Sequence, residues 1–286
     1  MSAGAEGAAA SPARRLRAWQ RRPAHALGQC FVIDPNILQA VVAAARISPQ
    51  EVVLEIGGGL GVLSERLAAR AAHLHVVEID RRLEQPLREA LAPFANVSLH
   101  WGDALKLSLG ALDPPPRVLV ANLPYAIAAT LLVRVACELP QIERCVVMVQ
   151  REVGERLASA PVGASAGKRG QRPYGAPAAL IQLTCQVRVL RAIPRGAFAP
   201  MPRVESALLE LVRIAEPPPA HVRELINAAF AHRRKPLRSA LALAGQGPQI
   251  DQQRLLDALA RLGQPADVRA ERLSPQQLRS LAEAVV

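Results

Sequence analysis

Five short apolar runs, alternating with segments of helical period, constrain this chain more than any other feature. Val52 to Ile56, Leu74 to Ile79, Val97 to Trp101, Val118 to Ala121 and Cys145 to Gln150 read as buried strands. Leu63 to Ala72, Arg82 to Ala92 and Thr130 to Leu139 read as the helices between them, and Pro35 to Arg46 as one before the first strand. Such alternation predicts an α/β fold, a Rossmann-like parallel sheet with helices on both faces. Ligands in these sheets bind beyond the carboxyl ends of the strands. The unusual residues of this chain fall there.

The first strand closes on Glu55-Ile-Gly57-Gly58-Gly59-Leu-Gly61, where glycines permit a tight turn and close approach of backbone to a ligand. A dinucleotide loop uses nearly the same residues, whereas the absence of a Gly-Lys-Ser/Thr ending excludes a nucleoside-triphosphate loop. Glu78, at the end of the second strand, can accept hydrogen bonds from both hydroxyls of a ribose. Asp103, after the third, can accept from an adenine amine. Asn122-Leu123-Pro124-Tyr125 follows the fourth and suits methyl transfer to an exocyclic base amine. Such an amine is a poor nucleophile because its lone pair is delocalised into the ring. It must be held in line with the methyl donor while its hydrogens are accepted, which the Asn122 oxygen and a nearby backbone carbonyl could do. Pro124 fixes the backbone angle, and Tyr125 offers a stacking face worth about 1 to 3 kcal/mol per base. S-adenosylmethionine accounts for all four strand ends; a nicotinamide dinucleotide leaves Asn122 to Tyr125 without a role.

The 286 residues, half of them apolar, suffice for one large domain with a smaller appendage. No apolar run has the length of a membrane span and no secretory signal is evident, so a soluble, cytoplasmic protein with no membrane partner is expected. Cys30, Cys137, Cys145 and Cys185 lack metal-ligand or disulfide spacing and read as buried thiols, and the histidines form no ligand pattern. No metal is expected. A formal charge of +11 points to a polyanionic partner, since neutralising phosphates releases counterions.

Several segments, in order, resemble the motifs of ribosomal RNA adenine dimethyltransferases. They are Leu27 to Phe31, Glu55 to Gly61, Glu78 to Asp80, Gly102 to Ala104, Asn122 to Tyr125, Met148 to Glu152, Tyr174-Gly175, Ala197 to Ser206 and Phe230 to Arg238. The Arg-Arg-Lys element of the last favours the branch acting on the small subunit. The resemblance implies an S-adenosylmethionine-dependent methyltransferase sheet domain with a small C-terminal helical domain. The implied reaction is N6,N6-dimethylation of two adjacent adenosines in the 3′-terminal hairpin loop of 16S small-subunit ribosomal RNA, with a role in subunit biogenesis. By the same resemblance Cys30, Val32, Gly57, Gly59, Glu78, Asp103 and Asn122 bind the cofactor. Asn122, Leu123, Pro124 and Tyr125 hold the target adenine, with Phe198 as a second stacking face, and Arg233, Arg234, Lys235 and Arg238 meet RNA phosphates. The partner would be small-subunit ribosomal RNA or the pre-small subunit, and the protein a monomer. Cys30 stands where the family usually has Asn, Gly58 replaces a common proline and is expected to loosen the turn, and Ala126 to Thr130 lacks the usual polar residues.

A disordered basic tail is expected over residues 1 to 22, a catalytic domain over 23 to 215 and a helical RNA-binding domain over 220 to 286. Residues 178 to 192 and 204 to 214 read as two further strands, and Pro161 to Pro173 as a flexible loop. Two alternatives stay open: a largely non-catalytic RNA-binding assembly factor, and a macrolide-resistance type methyltransferase acting on large-subunit RNA.

Overall fold

A computed structural model describes residues 11–19, 21, 23–24, 27–162, 174–244 and 251–285. In chain order these form α1 (Pro12–Trp19), β1 (Phe31–Val32), α2 (Pro35–Ala45), β2 (Val52–Ile56), α3 (Ser64–Ala68), β3 (His73–Glu78), α4 (Glu84–Leu91), β4 (Val97–Trp101), β5 (Val118–Asn122) and α5 (Ala128–Glu138). There follow β6 (Arg144–Gln150), α6 (Arg151–Leu157), α7 (Ala176–Gln182), β7 (Cys185–Ile193), β8 (Phe198–Ala199), β9 (Ser206–Arg213), α8 (Ala220–Ala231), α9 (Leu237–Leu243), α10 (Gln252–Arg261) and α11 (Pro275–Val285).

Seven strands make one sheet in the order β4-β3-β2-β5-β6-β9-β7, and β1 pairs antiparallel with β8. The pairs β2–β3, β3–β4, β2–β5 and β5–β6 are all parallel, as the alternation of strand and helix requires. At the far edge the chain reverses. The N–H groups of Ile214 and Ala215 donate to the Thr184 carbonyl, so the end of β9 lies beside the start of β7 and these two strands run antiparallel. The sheet is therefore mixed.

Two compact units share the chain. One comprises Met1–Ala128, Gln141–Arg151 and Leu190–Glu210; the other Ala129–Pro140, Glu152–Val189 and Leu211–Val286. In the first unit, alternate strand residues Val53, Leu74, Val76, Val118, Val120, Val146 and Met148 join Leu38, Val41 and Leu67 of the flanking helices in one core. α2 begins where Asp34 accepts from the Asn36 N–H at 2.8 Å and Pro35 sets the first turn. In the second unit α8 packs on α7, α9 and α11, with the Phe230 ring 5.7 Å from Tyr174. Arg213 closes the end of α5 by donating to the carbonyls of Val135, Ala136 and Leu139 at 3.0 to 3.1 Å. Beyond residue 220 the described residues form α8 to α11, and their unit also holds most of α5 together with α6 and α7.

Several expectations need correction. Residues 178 to 192 are not one strand: α7 occupies Ala176–Gln182 and only Cys185–Ile193 is extended. Pro177 at the first turn suits a helix start, and the fully apolar Ala178 to Ile181 cannot be told from a strand by period alone. Within the tail expected to be disordered, Pro12–Trp19 is helical, because Arg15 donates to the Leu60 carbonyl at 3.2 Å and pairs with Glu65. Cys30 is only half-buried, whereas Cys137, Cys145 and Cys185 are buried thiols outside any disulfide. Most of the expected loop at 161–173 lies outside the described residues. Among those described, no helix is long and apolar enough to cross a membrane.

Gly58 is packed tightly, contrary to the looser turn expected there. A Cβ at this position would stand 2.5 Å from Val76 Cγ1 and 3.1 Å from Leu87 Cδ2. Val76 is buried and β-branched, so it has little freedom to yield. Gly58→Ala should therefore destabilise the protein by about 1 to 3 kcal/mol, read as a lowered midpoint in urea unfolding. A midpoint equal to that of the parent would show that the contact relaxes without cost.

Candidate active site

One cleft opens at the carboxyl ends of β2, β3, β4 and β5, lined by Gly57, Gly59, Glu78, Asp103 and Asn122 to Tyr125, with Gly28 to Phe31 lying across it. Parallel register brings these strand ends to one edge: Glu55 pairs with Val76 and Val120, and Glu78 with Trp101. Gly57 has φ +85°, which an L side chain rarely adopts, and a Cβ there would sit 3.6 Å from the Asn122 carbonyl oxygen.

Glu78 is almost fully buried and held by three backbone donors. Its Oε2 accepts from Gly59 N–H at 2.9 Å, and its Oε1 from Ile79 and Asp80 N–H at 2.9 and 2.8 Å. Burial pushes this carboxyl above its ordinary value, and the three donors oppose the shift. Next to it, the Arg82 guanidinium holds Asp80 down at about 2. Asp80 also accepts from Gln29 Nε2 at 2.8 Å, which fastens the strap of residues 27 to 32 to the end of β3. Asp103 is fixed by accepting the Leu105 N–H at 2.9 Å.

A second fastening involves Asn122, whose Nδ2 donates to the Cys30 carbonyl at 2.8 Å. A carbonyl can only accept, so the amide must turn its nitrogen to the strap and keep Oδ1 as the acceptor left for a ligand. The backbone at position 30, rather than the thiol, makes this contact. Leu123 is buried, and its N–H donates to the Met148 carbonyl at 3.1 Å, anchoring the turn that Pro124 stiffens. The Tyr125 hydroxyl lies 2.6 Å from Ser206 Oγ. Burial raises both the Tyr125 phenol and the Cys30 thiol, so both are neutral near pH 7.

Of the expected site residues, Cys30, Gly57, Gly59, Glu78, Asp103, Asn122, Leu123, Pro124 and Tyr125 come together at this cleft. Val32 and Phe198 do not. They pair with each other between β1 and β8 and are 4% and 2% exposed in the core, because two large apolar side chains are better buried there than left in a wet cleft. Arg233, Arg234, Lys235 and Arg238 are exposed on the second unit, at the turn between α8 and α9 and the first turn of α9; Arg233 lies 3.7 Å from Glu271. Sequence reasoning placed Gln29, Phe31, Asp80 and Ser206 within segments that carry the family resemblance but gave none of them a role. Gln29 and Asp80 are separated by 51 residues, and nothing local to either announces the pairing.

A family model described as ribosomal RNA adenine dimethylase matches residues 22–268. The chain belongs to the ribosomal RNA adenine dimethylase family. It is 43% identical over 262 residues, 91% of this chain and 94% of the relative, to the ribosomal RNA small subunit methyltransferase A of Rubrobacter xylanophilus. The protein of that name from Deinococcus radiodurans is 40% identical over 282 residues, covering 96% of this chain and 91% of its own. Among solved structures, a dimethyladenosine transferase from Plasmodium falciparum superposes with TM-score 0.70 over 87% of this chain and 95% of that one at 24% identity. The 23S rRNA methyltransferase ErmE does so with TM-score 0.63 over 89% and 99%, at 25% identity. For this dimethylase-family chain the methyl donor is S-adenosyl-L-methionine. The cleft has room and chemistry for it: Glu78 presents a carboxylate oriented by three backbone donors, Ile79 and Leu83 are apolar walls, and a Cβ at Gly59 would press on the Phe31 ring at 3.2 Å, so no side chain fills the cradle.

Glu55, just ahead of the glycines, is buried beside the Ser64 hydroxyl, and among the described residues its Oε2 has no hydrogen-bond partner within bonding distance. Burial raises its carboxyl from 4.5 to about 8, so near neutral pH the folded chain keeps a proton that the unfolded chain has released. Its contribution to stability is full below about pH 4.5 and declines as pH rises toward 8. Glu55→Gln removes this titration. The difference in melting temperature should therefore shift in favour of the variant from pH 5 to pH 8, and a difference that does not change with pH would refute the assignment.

Proposed function

We propose that this S-adenosylmethionine-dependent rRNA methyltransferase converts two adjacent adenosines in the 3′-terminal hairpin loop of small-subunit ribosomal RNA to N6,N6-dimethyladenosine. We place the reaction in the cytoplasm, with a monomeric enzyme acting on the pre-small subunit. The observation that carries the reading is the orientation of Asn122. Its Nδ2 is committed to Cys30, so Oδ1 is left to accept a hydrogen of the target amine and turn the nitrogen lone pair outward.

S-adenosylmethionine, when bound, supplies an electrophilic methyl group. Glu78 and Asp103 hold its ribose and adenine, and Gly57 and Gly59 admit the rest of it close to backbone. Tyr125 supports the flipped base on its ring, and its hydroxyl bond to Ser206 fixes the plane of that ring. No strong base is required near Asn122. Methylation leaves the amine cationic, and its proton then passes readily to water, which agrees with the neutral Tyr125 and Cys30. Rate enhancement comes from positioning and exclusion of water. Arg233, Arg234, Lys235 and Arg238 supply an exposed basic turn for RNA phosphates. Identity of 43% to a relative named for the small subunit, against 25% to a 23S methyltransferase, supports the small subunit over the large.

The deciding experiment is nucleoside mass spectrometry of unmethylated small subunits incubated with protein and S-adenosylmethionine, beside large subunits. N6,N6-dimethyladenosine should appear in the small subunit alone. Its appearance only in the large subunit would reassign the substrate, and RNA binding without any methylation would leave an assembly factor. Asn122→Ala should lower turnover by roughly two orders of magnitude and, by releasing the strap at Cys30, weaken cofactor binding as well; full activity would remove Asn122 from the reaction. Tyr125→Phe and Ser206→Ala should each slow turnover several-fold, and the double variant should be no slower than the worse single one. Additive losses would show that the two hydroxyls act separately.

A further inference from the structure

Beside the cleft, α1, the first glycine turn and α4 enclose a groove of about 930 Å³. Five arginines line it, against Glu84 and Glu89. Trp19 lines the groove and Phe31 the cleft, and their rings meet edge to face 5.7 Å apart, so one aromatic pair forms the wall between them. The family match starts at residue 22; α1, at Pro12–Trp19, therefore precedes it.

Helix α1 has two faces at helical spacing. Pro12, Arg15, Leu16 and Trp19 turn inward, whereas Arg14, Arg17 and Ala18 are exposed, as is Arg21 beyond the end of the helix; Ala18 and Arg21 line the groove. Among the described residues, no carboxylate pairs with Arg14, Arg17 or Arg21. Arg81 and Arg88 form exposed ion pairs with Glu84, and Arg81 also lies 5.1 Å over the Trp101 ring. Each guanidinium carries five N–H donors, so one such pair leaves donors for a phosphate. A wide groove lined by arginine, with an indole in its wall, fits a nucleic-acid backbone better than a compact anion.

We propose that the exposed arginines Arg14, Arg17 and Arg21, continuous with the groove between α1 and α4, form with it a second RNA-phosphate surface, which gives the structured substrate another attachment beside the cleft. This rests on RNA being the substrate. The test is anisotropy titration of a fluorescein-labelled RNA hairpin, repeated from 50 to 200 mM KCl, with unmethylated small subunits as a second ligand. The variant Arg14→Gln, Arg17→Gln, Arg21→Gln spares every ion pair described above. It should bind the hairpin about tenfold more weakly, and its log–log salt slope should be shallower by about 2 to 3, at roughly 0.9 per lost phosphate contact. The corresponding triple lysine variant keeps the charge and should restore the slope.

An unchanged slope in the glutamine variant would overturn the proposal, as would failure of lysine to restore it. Loss of binding to subunits with hairpin binding intact would also overturn it, assigning the groove to an acidic ribosomal protein. A parent protein that binds neither ligand would sink the RNA reading itself, which is a different failure.

Discussion

Parallel pairing of β2 with β3 on one side and β5 on the other sets the chemistry of the cleft, because it delivers three strand ends to one edge with their side chains in a fixed register. No loop has to find Glu78 or Asn122 a place. Each is the last residue of its strand, positioned by the same ladder that buries Val76 and Val120 two residues earlier. Precision at the site is thus tied to the packing of the core, and a defect under the sheet reaches the cleft without touching any ligand-facing atom.

The strap of residues 27 to 32 converts this open edge into an enclosed one. It is fastened at Gln29 to Asp80 and at Cys30 to Asn122, and its last residues are clipped by the pairing of β1 with β8. Asn122 therefore has two tasks. Holding the strap uses its nitrogen, and that same bond orients its oxygen. Asp80 plays the matching part at the other end, as a carboxylate kept ionised by Arg82 and unable to leave Gln29 cheaply.

Much of this was legible in the sequence, for a physical reason. Strands buried on both faces are near-continuous apolar runs, and the residues that end them are chemically conspicuous, so Gly57, Glu78, Asp103 and Asn122 could be placed at strand ends by pattern alone. What escaped depends on contacts remote in the chain. The Tyr125–Ser206 bond spans 81 residues, and no periodicity encodes it. Phe198 was expected to serve as a stacking face because the family resemblance implies one; its burial beside Val32 depends on a two-residue strand pairing too short to leave a signal. The helix at Ala176–Gln182 was mistaken for strand because its apolar residues are contiguous, and contiguity carries no period.

The role of Cys30 separates a residue's position from its identity. What Asn122 grips is the peptide carbonyl, a group common to all twenty amino acids, so the side chain at position 30 is not what keeps the strap shut. Substitution there can proceed without loss of the enclosure, provided that the chain follows the same path between Gly28 and Phe31. With the strap held through its backbone, the half-buried thiol of Cys30 lines the cleft without any part in closing it.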